Sequence, residues 1–289
     1  MKTHQPSLLL SKNQRLMPGI LGGLGPLAHI EFERCLLSKS VEQGAQCDQD
    51  HPVWLLVNAT ATPDRTRSLN NAGADCMPWL LQYAQLLESM GADFLVVTCN
   101  TAHAFYDRIQ PQLQIPWIHA MRSVSRTLVT QHAPAKKVGV MCTSGTLRAQ
   151  LYTQSLKKVG LLPVTPEVDS DIQRAIMQSI YAPEWGIKAS GVSVSERALQ
   201  QLSAVMRWFE QQGADIVVAG CTELSVGLAR INDLPLPWVD PLEILADLTL
   251  SLASGEAIVM PPKTGAASIV PVARQSRYRL ADRLDVGSG

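Results

Sequence analysis

The sequence has no excess of either charge and no apolar run long enough to cross a membrane. Its 289 residues include 25 Lys and Arg against 25 Asp and Glu, so no long-range field favours nucleic acid or an anionic membrane surface. The first apolar run, Leu8-Leu-Leu10, is too short for the core of a signal peptide. We therefore expect a cytoplasmic protein with a small-molecule partner.

Signatures of nucleotide cofactors are also missing. The chain has no glycine-lysine P-loop, and the turn Gly22-Gly-Leu-Gly25 lacks both the full dinucleotide-binding spacing and the acidic residue expected about twenty positions later. A disulfide framework is not expected in a chain of this size, so the six cysteines should stay reduced. We expect no cofactor of the nicotinamide or nucleotide kind.

What the sequence does contain is an internal repeat. One phrase occurs twice, as Glu88-Ser-Met-Gly-Ala-Asp-Phe-Leu-Val-Val-Thr-Cys99 and as Glu210-Gln-Gln-Gly-Ala-Asp-Ile-Val-Val-Ala-Gly-Cys221. Two other pairs keep the same order: Gly19-Ile-Leu-Gly-Gly-Leu-Gly25 with Gly139-Val-Met-Cys-Thr-Ser-Gly145, and Ile115-Pro-Trp-Ile118 with Leu236-Pro-Trp-Val239. In chain order the offsets are 120, 122 and 121 residues, which indicates two similar halves.

The apolar periodicity in each half predicts an α/β fold. Helical spacing ends at Gly91 and at Gly213, and a short buried strand is predicted after each glycine, at 94–98 and 216–219. A new helix is predicted to open after Cys99 and to end before Pro111. The other predicted strands are 19–21, 53–57, 115–118, 138–141 and 238–239.

Alternating helices and strands predict two similar lobes, each a mostly parallel sheet flanked by helices, related by pseudo-twofold duplication. Ligands bind such sheets beyond the carboxyl ends of the strands, so the site should lie in the cleft between the lobes. We expect lobe 1 over 17–118 and 239–254 and lobe 2 over 119–238. The flanking segments, 1–16 and 255–289, would be extensions, the second of them mobile or loosely docked.

Cys99 and Cys221 each stand where a strand gives way to a helix. A free thiol has a pKa of about 8.5, and the unpaired N–H groups of a helix N-terminus favour the thiolate. A buried cysteine at a strand end is otherwise a small apolar filler. Because the repeat places both thiols at matching points, we identify Cys99 and Cys221 as candidate catalytic residues.

Four motifs, in this order, resemble the aspartate/glutamate racemase family: Gly22-Gly-Leu-Gly-Pro26, Thr62-Pro-Asp-Arg-Thr66, Cys99-Asn-Thr-Ala-His103 and Gly220-Cys-Thr-Glu-Leu224. The resemblance runs from about Gly19 to Ser254. It implies a homodimeric racemase without a cofactor, in which one cysteine thiolate removes the α-proton of an amino acid and the opposite thiol reprotonates the other face. Cys99 and Cys221 would be these two cysteines.

The resemblance also implies substrate-binding roles. The residues similar to those that hold the α-carboxylate and amino group are Asn100, Thr101, Thr143, Thr146 and Thr222. Hydroxyls at a turn, such as those of Thr143 and Thr146, more often cap a helix than touch a ligand.

Two cations, Arg65 and Lys188, resemble those that bind the side-chain carboxylate of an acidic substrate, a task that suits a planar guanidinium. Glutamate racemases usually open with an Asp-Ser-Gly turn and carry Gly-Cys-Thr-His, whereas this chain has a glycine-rich turn and Glu223. Leu24 stands where aspartate racemases commonly have methionine, so it would line the pocket. We expect interconversion of L- and D-aspartate, and leave open whether glutamate or other amino acids react.

Three alternatives stay open. A maleate isomerase of the same superfamily would use similar cysteines as nucleophile and acid. A two-lobed amino-acid-binding protein could use the same cleft without chemistry. His103 lies one helical turn after Cys99 and could ligate zinc together with Cys221, although no fourth ligand is evident, and we expect no metal.

Overall fold

The computed structural model describes residues 10–11, 13–132, 134–191, 193–260 and 268–271, with the backbone alone at 258–260 and 268–271. The strands are β1 (Pro18–Gly22), β2 (Leu55–Asn58), β3 (Phe94–Val97), β4 (Lys137–Cys142), β5 (Leu162–Val164), β6 (Ile216–Gly220), β7 (Trp238–Val239), β8 (Ala257–Met260) and β9 (Ser268–Pro271). The helices are α1 (Pro26–Glu42), α2 (Arg65–Leu69), α3 (Met77–Ser89), α4 (Tyr106–Ile109), α5 (Ala120–Gln131), α6 (Ser144–Arg148), α7 (Leu151–Lys158), α8 (Asp171–Tyr181), α9 (Glu196–Gln211), α10 (Thr222–Leu228) and α11 (Pro241–Ala253).

Two parallel sheets carry the repeat. The first has the strand order β2-β1-β3 and the second β5-β4-β6-β7. The repeated glycine phrases form β1 and β4, and the phrases that end in cysteine form β3 and β6, so equivalent segments take equivalent places. β1, β3 and β6 are buried along their whole length, as expected for strands covered by helices on both faces.

The structure departs from the predicted elements in four places. The segment 115–118 forms only a single bridge, between Trp117 and Leu95, while its repeat partner forms the two-residue strand β7. The predicted helix after Cys99 is mostly 3-10, with turns at 101–105 and 110–112 around α4, and it passes Pro111 because a proline in a first helical turn needs no N–H partner. Strand β5 was not predicted, and neither were β8 and β9 in the C-terminal extension.

The lobes share a core. One apolar cluster contains Ile20 and Phe94 from the first sheet, Val140 and Val218 from the second, and Leu245 from α11. Helix α11 packs on both α1 and α5, and so joins the two halves. The predicted boundary between 238 and 239 falls inside β7, which pairs with β6.

The C-terminal extension includes an antiparallel pair of strands, β8 and β9. The rest of that extension, 261–267 and 272–289, lies outside the described residues, as do 1–9 and 12 in the N-terminal extension. Within the described ranges, no helix combines the length and the apolar character needed to cross a bilayer.

Replacing Leu245 with alanine should lower the free energy of unfolding by about 2–5 kcal/mol, because it leaves a cavity in the core that both lobes share. The measurement is urea denaturation followed by circular dichroism. The matched control is Leu37→Ala on α1, where the exposed side chain should change the free energy by less than about 0.5 kcal/mol. Equal losses in both variants would contradict a shared core around α11.

Candidate functional site

The two candidate cysteines end equivalent strands. Cys99 follows β3 after one residue, and Cys221 follows β6 directly. Their exposed fractions are only 8% and 6%. Both lie at the carboxyl ends of buried parallel strands, where ligands of such folds bind.

Hydrogen bonds join the turn after Cys99 to the opposite lobe. The hydroxyl oxygen of Thr101 lies 3.0 Å from that of Thr143 and 3.0 Å from that of Thr146. The Tyr152 hydroxyl donates to Oδ1 of Asn100 over 2.6 Å. All of these side chains are buried, so the structure brings together four of the residues implied to bind substrate. Thr143 also caps α6 by accepting from the Thr146 N–H.

Two glycines allow the lobes to approach closely. A Cβ added to Gly145 would lie 2.8 Å from Oγ1 of Thr66. A Cβ added to Gly25 would collide with Oε1 of Glu223 and lie 2.9 Å from Nζ of Lys188. The glycine-rich turn after β1 therefore lies directly against side chains of the second lobe.

A buried ion pair lies next to Cys221. Lys188 Nζ pairs with Oε1 of Glu223, whose exposed fraction is 3%. The Cys221 thiol donates to Oε2 of Glu223 over 3.0 Å, and the Thr222 hydroxyl donates to the same oxygen over 3.4 Å. Burial raises the pKa of Glu223, but Lys188 and these donors outweigh it and lower the pKa overall. Glu223 is therefore a carboxylate.

The same surroundings keep Cys221 protonated. Burial and the negative charge of Glu223 raise its pKa well above the ordinary value, and the opposing effect of Lys188 is smaller. Cys221 is the N-cap of α10, as the sequence predicted. The helix N-terminus favours the thiolate, but at Cys221 burial and the adjacent carboxylate outweigh it.

Arg65 lies beside Cys99. Its Nη1 donates to two carbonyls of the preceding loop, 62–63, over 3.3 and 3.1 Å, and its Nη2 donates to the carbonyl of Leu24. Burial lowers the pKa of Arg65, but electrostatic interaction with Cys99 and Asp64 raises it above the ordinary value. The guanidinium thus ties its loop to the glycine-rich turn while facing the first cysteine. Leu24 is buried in the same apolar cluster as Cys99.

Two side chains interact with both cysteines. Burial raises the pKa of Tyr181, and electrostatic interaction with Cys221, Asp64 and Cys99 raises it further. Burial lowers the pKa of Lys188, but its ion-pair partner and both cysteines outweigh this effect. The Tyr181 hydroxyl donates to Oδ2 of Asp64 over 3.2 Å, and Lys188 Nζ lies 5.6 Å from the Tyr181 ring centroid. Lys188 and Tyr181 therefore lie within electrostatic range of both thiols.

Several buried polar atoms around this space have no hydrogen-bond partner in the part of the chain that the structure describes. They are Oγ1 of Thr62, Nε of Arg65, Oγ1 of Thr66, Nδ2 of Asn100 and Oε1 of Gln173. A buried polar atom without a partner costs about 1–3 kcal/mol. Unpaired buried donors and acceptors of this kind suit a small ligand that carries both hydrogen-bond donors and hydrogen-bond acceptors.

Some residues of the site were not predicted from the sequence. Thr62, Asp64 and Thr66 stand in the motif that directed attention to Arg65, and Tyr181 stands in the segment that leads to Lys188. These neighbouring motifs could therefore have identified the four residues. Gln173 had none, because α8 brings it to the turn after β4, where it donates to the Cys142 carbonyl and to the Ser144 hydroxyl.

His103 stabilises the backbone around Cys99. Its Nε2 accepts the Ala120 N–H over 3.2 Å, so the proton is on Nδ1, which lies 3.0 Å from the Cys99 carbonyl oxygen. Both ring nitrogens are engaged, which leaves none for a metal. Across the described ranges, no three His, Cys, Asp or Glu side chains converge on a possible metal site, so the zinc alternative loses support.

Comparisons with known proteins identify the family. A sequence model of the family described as Asp/Glu/hydantoin racemase matches residues 21–249. The chain is 29% identical, over 242 residues, to the broad specificity amino-acid racemase RacX of Bacillus subtilis, covering 81% of this chain and 97% of that protein.

Solved structures share the fold. Aspartate racemase from Picrophilus torridus superposes with a TM-score of 0.68 at 24% identity, over 83% of this chain and 95% of that one. Glutamate racemase isoform RacE1 from Bacillus anthracis gives a TM-score of 0.57 at 18% identity, over 83% and 82%.

His103 should make stability depend on pH. Burial lowers its pKa to about 4, whereas the unfolded chain takes up the proton near the ordinary value of 6.5. The unfolded state then binds more protons between these values, so the free energy of unfolding falls as the pH falls, by about 2 kcal/mol between pH 7 and pH 5. Urea denaturation at the two values measures this. His103→Gln should lose this part of the pH dependence, and an unchanged dependence would contradict a neutral buried imidazole.

Proposed function

Because the chain belongs to the Asp/Glu/hydantoin racemase family, we propose that it interconverts L- and D-amino acids by moving the α-proton between Cys99 and Cys221. The observation that supports this best is that Lys188 and Tyr181 each interact electrostatically with both thiols. Proton transfer at opposite faces requires the two thiols to flank one carbon atom, and side chains that interact with both thiols support such an arrangement.

In each turnover a thiolate on one face takes the α-proton, so a C–H bond breaks and an S–H bond forms. The thiol on the other face donates its proton to the same carbon, so an S–H bond breaks and a C–H bond forms. The charge has then moved from one sulfur to the other. We infer that Cys221 begins as the acid because its thiol donates to Glu223, and that Cys99, beside Arg65, begins as the base.

The remaining polar groups would hold the amino acid. The Tyr152 hydroxyl donates a hydrogen bond to Oδ1 of Asn100. The amide nitrogen Nδ2 has no partner among the described residues, so it can donate to a carboxylate oxygen of the substrate. The hydroxyls of Thr101, Thr143 and Thr146 form a compact group that can donate or accept. Donors fixed before the substrate arrives can stabilise the negative charge that develops as the α-proton leaves.

We propose aspartate as a substrate, because Arg65 and Lys188 lie beside the two thiols as an acidic side chain would need. Both cations already have partners, since Lys188 pairs with Glu223 and Arg65 donates to three carbonyls. An acidic substrate side chain would therefore share these two cations with groups of the protein. This sharing supports a range of amino-acid substrates wider than aspartate alone, as does the similarity to a racemase described as broad in specificity.

The experiment that tests the reaction is incubation of the purified protein in heavy water with a panel of L- and D-amino acids. We expect deuterium at the α-carbon together with loss of optical purity, without added pyridoxal phosphate and after dialysis against a chelator. Formation of fumarate from maleate without exchange into amino acids would favour the isomerase alternative. Binding of an amino acid without exchange would favour the binding-protein alternative.

Replacing either cysteine tests the two-base mechanism. Cys99→Ser and Cys221→Ser should each lower kcat/KM for racemisation by about 10²–10⁴-fold, because each variant loses the acid or base of one face. Each should retain some α-proton exchange starting from one enantiomer only. Cys47→Ser is the control, since Cys47 is exposed and should leave the rate unchanged. Normal racemisation in either site variant would exclude the mechanism.

Glu223→Gln should lower the pKa of Cys221, because it removes the carboxylate that raises this pKa and leaves the opposing charge of Lys188. The rate of Cys221 alkylation by iodoacetamide, followed by peptide mass spectrometry in a Cys99→Ser background, should rise at a lower pH than in that background alone. Glu196→Gln, an exposed change in the first turn of α9, is the control. A shift of the alkylation profile to higher pH would show that Glu223 does not raise the pKa of the Cys221 thiol.

A further inference from the structure

Tyr152 on α7 reaches both strand ends that carry the candidate cysteines. Its hydroxyl donates to Oδ1 of Asn100, the residue after Cys99, over 2.6 Å. A Cβ added to Gly220, the residue before Cys221, would lie 3.1 Å from Cε2 of the Tyr152 ring. The ring of Tyr152 therefore lies close to the backbone of one cysteine turn, and its hydroxyl binds the other.

The Tyr152 hydroxyl determines which way the Asn100 amide faces. Tyr152 is only 1% exposed, and burial raises the pKa of its hydroxyl well above the ordinary value, so the hydroxyl keeps its proton. A buried hydroxyl without an acceptor is costly, so the amide turns its oxygen toward Tyr152. Nδ2 of Asn100 then faces away, buried and without a partner among the described residues. An amide turned the other way would present an oxygen, which repels a carboxylate.

The internal repeat separates the role of the ring from that of the hydroxyl. The offset of 120 residues that pairs Gly25 with Gly145 also pairs Phe32 of α1 with Tyr152. Both rings are fully buried in the core that the lobes share. Phenylalanine therefore meets the packing requirement of this position in the first lobe, and the hydroxyl of the second lobe is an addition that packing does not require.

Building on the proposed function, we propose that Tyr152 is a positioning residue, which directs Nδ2 of Asn100 toward the α-carboxylate of the amino acid. The donor is held in place before the substrate arrives, so no reorientation is needed during the reaction. It stabilises the negative charge that spreads onto the carboxylate as the α-proton leaves. Tyr152 itself touches neither the substrate nor the reacting atoms.

Calorimetric titration in a Cys99→Ser/Cys221→Ser background tests the proposal without turnover. The ligands are aspartate and β-alanine, which is aspartate without its α-carboxylate. Adding Tyr152→Phe should weaken aspartate binding about tenfold or more, because the amide can then turn its oxygen to the carboxylate, and should leave β-alanine binding unchanged. Ser155→Ala on the same helix is the control. It removes a buried hydrogen bond of 2.9 Å to the Met121 carbonyl and should change neither affinity.

Asn100→Ala completes a double-mutant cycle. It should weaken aspartate binding about as much as Tyr152→Phe does, and the two changes together should weaken it no further than Asn100→Ala alone. With both cysteines intact, Tyr152→Phe should lower kcat/KM for racemisation by about 10–100-fold. Circular dichroism and urea denaturation show whether each variant is folded.

Unchanged aspartate binding in Tyr152→Phe, equal losses for aspartate and β-alanine, or independent losses in the cycle would each overturn the positioning role. None of these results affects the proposed function where the wild type exchanges the α-proton. A wild type that binds aspartate without exchange would overturn the proposed function, and the titrations would still decide the role of Tyr152. If another amino acid exchanges faster, that amino acid and its decarboxylated amine replace the two ligands. A wild type that binds no amino acid would overturn both proposals.

Discussion

The buried ion pair of Lys188 and Glu223 is the interaction on which the second half of the site depends. A carboxylate with an exposed fraction of 3% would be costly without a cation, and the cation comes from a loop 35 residues earlier in the chain. One oxygen of Glu223 lies against Gly25 of the first lobe, and the other accepts a hydrogen bond from the Cys221 thiol. The ion pair therefore contributes both to the contact between the lobes and to the protonation of Cys221.

The duplication produced two matching strand ends with unlike surroundings. Cys99 faces the guanidinium of Arg65, whereas Cys221 faces the carboxylate of Glu223. A reaction that needs one base and one acid at the two faces of a carbon suits this difference, since two identical surroundings would favour the same protonation state at both sulfurs. Tyr181 and Lys188, which interact with both cysteines, connect the two halves electrostatically.

Much of the fold followed from local patterns. Gly91 and Gly213 end helices and precede buried strands in both halves, and this repeated order predicted β3 and β6 correctly. The patterns failed where local signals were weak, as at β5, or where a short turn tightened into a 3-10 helix after Cys99. For the site, the family resemblance identified Thr101, Thr143 and Thr146, which do lie together, but not Gln173, which no neighbouring residue in the sequence indicates.

The sequence by itself determined the order of helices and strands and the equivalence of the two cysteines, because hydrophobic period and repeated motifs are properties of neighbouring residues. Only the tertiary structure decided that Cys221 is a protonated thiol and that both nitrogens of His103 are occupied, because burial and charge depend on residues distant in the chain. It also decided which apolar face of α3 is buried. The sequence makes both faces apolar, and packing against the first sheet covers Leu80 and leaves Leu86 exposed.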